Sequence, residues 1–121
     1  MVIKSFEDLE IWQLSKQLSI DVYKLTSDFP DSEKFGLTSQ MRSATVSIAA
    51  NIAEGFGRYH LKDNIKFLYN ARGSLLEVKS HLLIAKEIGL VKDKDFQKLL
   101  KKIKNLGVKL NNLINSLKKK L

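Results

Sequence analysis

Few side chains in this 121-residue sequence could act on a substrate or hold a metal: His60, His81, Glu77 and the serines Ser39, Ser43, Ser47 and Ser74. Glu77 and His81 stand four apart, the spacing that puts two ligands on one helical face. A metal site needs at least three, and no second Glu-x-x-His pair accompanies them, so neither a metal nor a cofactor is expected. None of the serines has an assignable His base, and serines inside helices pack small or bond to the preceding turn. The absence of Cys removes disulfides, thiolate zinc sites, iron–sulfur clusters and a thiol nucleophile. Gly55-Phe56-Gly57 lacks the third glycine of a dinucleotide fingerprint, His60 standing in its place, and the chain has no Gly-Lys-Ser/Thr phosphate loop. No acidic cluster offers a nuclease its divalent ion. No catalytic residue is assigned, and the sequence reads as a non-enzymatic protein.

Positive charge is the chemistry that remains. The formal net charge is +8, unevenly spread: residues 1–60 carry 6 basic and 8 acidic side chains, residues 61–121 carry 15 and 5, and residues 92–121 alone hold ten Lys against two Asp. Two explanations stand side by side, a polyanionic partner and a solvated lysine face that aids solubility.

These residues must be positioned by helices, because the apolar residues recur at spacings of three and four. Ser5 and Asp8 resemble a capping box ahead of Ile11, Leu14, Leu18, Val22, Leu25 and Phe29, and Pro30 stops that helix. Leu37, Met41, Ala44, Ile48 and Ile52 mark a second stripe, with Gly36 in its first turns and the glycines of EGFGR at its exit. Leu68, Ala71, Leu75, Val78, Leu82 and Ala85 form a bundle seam closed by Gly89. Phe96, Leu99, Ile103, Leu106, Leu110, Leu113 and Leu117 form a fourth stripe, capped by Asp93 or Asp95. The expected fold is all-α: a single domain over 1–121, an antiparallel up-down-up-down four-helix bundle with helices over about 6–28, 33–57, 61–88 and 93–120.

Ile65, Phe67, Tyr69, Leu76 and Leu83 lie off the third seam, so either this helix touches two neighbours or some of them face another subunit. Gly73 and Gly107 interrupt helices at about 1 kcal/mol each, a cost that close approach of another backbone would offset. On the fourth helix, Lys98, Lys101, Lys102 and Lys109 trace one outward ridge with Asn105 and Asn112. Lysines suit phosphates better than bases, and the ridge has no interleaved aromatics, so binding there would be weakly sequence-specific and not a stacking platform. The opening MVIKSFEDLEIW is acidic and amphipathic, and no apolar run approaches the ~20 residues of a membrane span; a cytoplasmic protein with no membrane partner is expected.

The segments FEDLEIWQLS, FPDSEKFGLTSQMR, SIAANIAEGFGR and FLYNARGSLLEVKSHLLIAKEIG occur in this order over about residues 6–90. Together they resemble the four-helix-bundle family first known from open reading frames in 23S ribosomal RNA intervening sequences. A related branch contains the accessory variability proteins of diversity-generating retroelements, which bind a reverse transcriptase and nucleic acid. The resemblance implies a closed bundle and a barrel-like homopentamer, with RNA or another nucleic acid, and a reverse transcriptase or other protein, as partners. Its motif positions fall on Trp12, Pro30, Glu33, Gly36, Gln40, Arg42, Ser47, Asn51, Glu54, Gly55, Arg58, Gly73, Ser74 and Glu77. Most of these are expected in structural or subunit-contact roles: Glu54 with Arg58 as a helical ion pair, and Gln40, Ser47, Asn51 and Ser74 as a polar seam. Arg42 and Arg58 are the two also assigned to phosphate. The chain departs from the family pattern at His60, Asn64 and Asn70, which predicts a less tightly capped, more polar third helix. The lysine ridge lies outside the diagnostic segments and rests on charge alone.

Overall fold

Apolar residues spaced to one face of a helix can leave water only if several helices share a centre, and the four stripes do so here. All six residues of the third seam are at most 3% exposed; Leu18, Val22, Met41, Ile48, Ile52, Leu106 and Leu110 are buried with them. The structure, a computed structural model, describes residues 2–121. Among them there are no strands, and the long helices are α1 (Glu10–Thr26), α2 (Ser39–Phe56), α3 (Leu61–Glu87) and α4 (Asp93–Lys118).

Polar contacts across the seams give the directions. Ser19 meets Thr45 and Thr26 meets Arg42 between α1 and α2; Ser47 meets Ser74 between α2 and α3. Arg72 meets Asn111 and Lys86 meets Asp93 between α3 and α4, while Glu10 meets Lys109 and Asp21 meets Lys102 between α1 and α4. At the α1–α2, α3–α4 and α1–α4 seams rising numbers on one helix meet falling numbers on the other, as in an antiparallel ring.

The helix ends differ from the spacing in instructive ways. The Asp8 carboxylate accepts from the backbone N–H groups of Lys4 and Ser5 at 2.8 and 3.2 Å, but it closes only a 3₁₀ turn over Phe6–Asp8. Leu9 is extended, and α1 starts after it. α1 ends at Thr26, not near residue 28, and hydroxyls crowd its last carbonyls: Thr26 Oγ1 donates to Val22 and Ser27 Oγ to Lys24. The second helix begins at Ser39 and not at 33. After Pro30 the chain makes a 3₁₀ turn (Asp31–Glu33) and a wide turn (Lys34–Thr38), within which Gly36 is non-helical and the Glu33 carboxylate accepts from Leu37 N–H at 3.1 Å.

EGFGR is the exit of the second helix, α2 ending at Phe56 with Gly57 as its cap residue, but Gly55 in the last turn has a further role: a Cβ there would stand 2.9 Å from Phe67 Cβ and 3.2 Å from the Asn64 carbonyl oxygen. This is the close helix approach that Gly73 and Gly107 were expected to show. Neither does: nothing lies within 4 Å at Gly73, and Gly107 meets only Leu75 Cδ2, at 3.5 Å. Gly89 does stop α3, with φ of 86° and Leu90 N–H reaching back to the Ala85 carbonyl at 2.9 Å. Lys92 is the residue before α4, so Asp93 and Asp95 sit in its first turn, where they favour the positive end of the helix dipole without capping it.

Candidate nucleic-acid interface

Electrostatics separates the lysines of α4 into two groups. Lys102 and Lys109 lean toward α1, where Lys102 pairs with Asp21 and Lys109 Nζ lies 2.8 Å from Glu10 Oε1. Asp21 is largely buried and also accepts from Gln17 Nε2 at 3.1 Å, so Lys102 is part of the α1–α4 seam. Lys98 is exposed but lines a cleft with Asp21, Asp28 and Asp95, whose charges oppose a phosphate. Of the predicted ridge, Lys101 is exposed and without a carboxylate within salt-bridge distance among the described residues.

The opposite flank of α4, toward α3, gathers unpaired cations. Lys62, Lys66 and Lys79 on α3 and Lys104 and Lys118 on α4 are exposed and make no ion pair among the described residues. Arg72 donates through Nη1 to Asn111 Oδ1 at 2.9 Å and lies over the Tyr69 ring at 4.7 Å, while Lys118 Nζ approaches the same ring at 5.9 Å. The basic patch therefore contains an aromatic residue that the α4 ridge lacks. Between the two helices runs a groove of about 750 Å³ floored by Leu76, Leu83, Leu100, Gly107 and Val108 and edged by Arg72, Lys79 and Lys104. Leu76 is 61% and Val108 52% exposed. Ile65, by contrast, is buried, so the seam of α3 is wider at its start than its spacing suggested.

The remaining motif residues are mostly built into the bundle. Arg42 clamps α1: its Nε donates to Thr26 Oγ1 at 2.8 Å, its Nη2 to the Tyr23 carbonyl at 3.3 Å, and the guanidinium covers the Tyr23 ring. Trp12 packs edge-on against Phe6. Asn51 Nδ2 donates to the Ser47 carbonyl at 2.8 Å and to Ser47 Oγ at 3.1 Å, and the Ser47 and Ser74 hydroxyls are 3.0 Å apart. Exposed Gln40 makes no bond in this seam. Arg58 pairs with Glu54 at 2.8 Å and lies over Phe67 at 4.8 Å. Glu77 Oε1 is 3.5 Å from His81 Nε2 without hydrogen-bond alignment, and among the described residues no three His, Asp or Glu side chains gather as metal ligands.

Tyr59, which helical spacing and charge do not single out, is 94% exposed at the turn between α2 and α3, with His60 perpendicular to it at 5.1 Å. Its signal was local: Arg58-Tyr59-His60-Leu61-Lys62 places an aromatic among cations. No helix among the described residues is long and apolar enough to cross a membrane.

A family model described as 23S rRNA-intervening sequence protein matches residues 7–112. That span takes in the α4 lysines as far as Lys109, beyond the segments that carry the resemblance, but not Lys118. The chain is also similar to the crystal structure of a protein of unknown function from the S23 ribosomal protein family of Bacteroides thetaiotaomicron. The two are 18% identical with a TM-score of 0.78, over 86% of this chain and 97% of that one. At that identity the likeness speaks for the fold. No curated protein matches the chain significantly.

Proposed function

The chain belongs to the 23S rRNA-intervening sequence protein family, and on that premise we propose that it is a non-enzymatic homo-oligomeric adaptor that binds RNA through the basic flank shared by α3 and α4. The observation that carries this function is the set Lys62, Lys66, Lys79, Lys104 and Lys118, exposed and unneutralised on α3 and α4. Unpaired lysines release counterions from a phosphate backbone without reading its sequence, which suits structured RNA bound by shape and charge. The exposed Leu76, Leu83 and Val108 supply the apolar contact for a second subunit, and the pentamer is the assembly that the resemblance implies. A repeated patch lets weak phosphate contacts add when one RNA spans several subunits.

The same groove favours a second function, a protein-interaction scaffold whose lysines are merely solvated. Electrophoretic shift with ribosomal RNA fragments separates the two. Reversing Lys66 and Lys104 to Glu lowers affinity by about an order of magnitude or more if RNA is the ligand. Unchanged shifts with the helical signal intact leave the scaffold function.

A further inference from the structure

We propose that the turn between α2 and α3 is a stacking site for an unpaired base of single-stranded RNA, with Tyr59 as the platform and Lys62 and Lys66 as its phosphate contacts. The inference rests on the RNA-binding function above and names which form of RNA this end of the surface takes.

Tyr59 carries the argument. An aromatic ring leaves water readily, yet this one is 94% exposed and contributes almost nothing to the core. His60, perpendicular at 5.1 Å, flanks the ring without burying it. Phe35, 89% exposed, is the other bare aromatic, and the contrast is informative. Phe35 also has a cation beside it, Lys34 Nζ at 5.6 Å from its ring, but Asp28, Asp31 and Glu33 precede it, whereas Tyr59 is followed along the chain by the exposed, unpaired Lys62 and Lys66. The balance of charge favours a polyanion more strongly at Tyr59.

From the turn, one outward face of α3 continues the pattern. Lys62, Lys66 and Tyr69 follow at intervals of four and three, so they lie one above another on the helix, and all three are exposed. Arg72 and Lys118 then sit against the Tyr69 ring. Aromatic, cation, cation, aromatic, cation is the alternation by which single-strand binders hold bases on rings and phosphates on cations. Gly73 comes next on this face, and a side chain there would lean back over the turn that holds Tyr69. Nothing within 4 Å fills its place, so the end of the strip is left open. From Leu61 to Arg72 the helical part of the strip runs about 17 Å at 1.5 Å per residue, with Tyr59 just ahead of it in the turn. That is on the order of five nucleotides of a stacked strand at about 3.4 Å each. Duplex RNA keeps its bases stacked on one another and offers the ring nothing.

The test measures binding of a labelled 12-nucleotide adenine-rich RNA, single-stranded and annealed to its complement, by fluorescence anisotropy with the full chain. Tyr59→Ala is expected to weaken the single strand by about 5- to 100-fold and leave the duplex unchanged. Tyr59→Phe keeps the affinity. Lys62→Ala and Lys66→Ala each reduce the single-strand salt slope by about 0.7, whereas Tyr59→Ala leaves the slope alone. If the parent binds both RNAs and Tyr59→Ala holds the single strand within twofold, the stacking site is overturned while RNA binding stands. If the parent binds neither RNA at low salt, RNA binding falls and the stacking site with it.

Discussion

Replacing three glycines by alanine, one at a time, should move stability in two directions, and the geometry says which. In a helix interior this change gains about 0.5–1 kcal/mol, because glycine loses more conformational freedom on folding. Gly73 has nothing within 4 Å of the new methyl, so the gain is realised. At Gly107 the methyl meets Leu75 Cδ2 at 3.5 Å, an ordinary contact, and the gain is kept or slightly enlarged. At Gly55 it would stand 2.9 Å from Phe67 Cβ and 3.2 Å from the Asn64 carbonyl oxygen. Both atoms are fixed to the first turns of α3, so the helix itself must shift. Overpacking of this kind costs about 1–3 kcal/mol, which exceeds the gain and leaves Gly55→Ala about 1–2 kcal/mol less stable. Urea unfolding followed by helical circular dichroism, at one protein concentration for all variants, gives the ordering. A Gly55→Ala protein as stable as the parent would refute the tight α2–α3 approach.

Lys102→Ala should cost about 1 kcal/mol in the same assay, because it strips largely buried Asp21 of its cation; Lys109→Ala should cost less than about half that, since Glu10 is mostly exposed. Equal effects would contradict the inference that the burial of the partner carboxylate, deep at Asp21 and slight at Glu10, sets the cost. If the proposed homo-oligomer forms through the α3–α4 groove, the parent should sediment as more than a monomer and Leu76→Asp combined with Leu83→Asp should sediment as a monomer without loss of helix; equal sedimentation coefficients would contradict a subunit contact at this groove.

The spacing of apolar residues was enough for the bundle, because burial of a continuous stripe dominates every other local preference. Leu68 through Ala85 and Phe96 through Leu117 are legible for that reason. Helix ends were less so: Asp8 and Glu33 both bond backbone N–H groups, but of short turns that precede the long helices, and hydrogen-bond reach over three or four residues does not reveal which helix is being capped. Gly55 and Gly73 look alike in sequence and differ only in what stands opposite them. The lysine ridge was half legible for a related reason. Helical periodicity places Lys102 and Lys109 off the apolar seam, but whether Asp21 and Glu10 meet them depends on the rotation of α1 against α4. Tyr59, Lys62 and Lys66 are not legible from charge alone, because lysines are most numerous in the last helix and composition does not show which of them are unpaired.

Affinity for a ribosomal RNA fragment as a function of salt tests the central claim most directly. If about five phosphates are neutralised, log affinity should fall against log salt with a slope near −3.5 for single strands, and the Lys66→Glu, Lys104→Glu protein should give a shallower line. Affinity that does not change with salt, or a slope that survives the charge reversal, would contradict RNA binding by this surface.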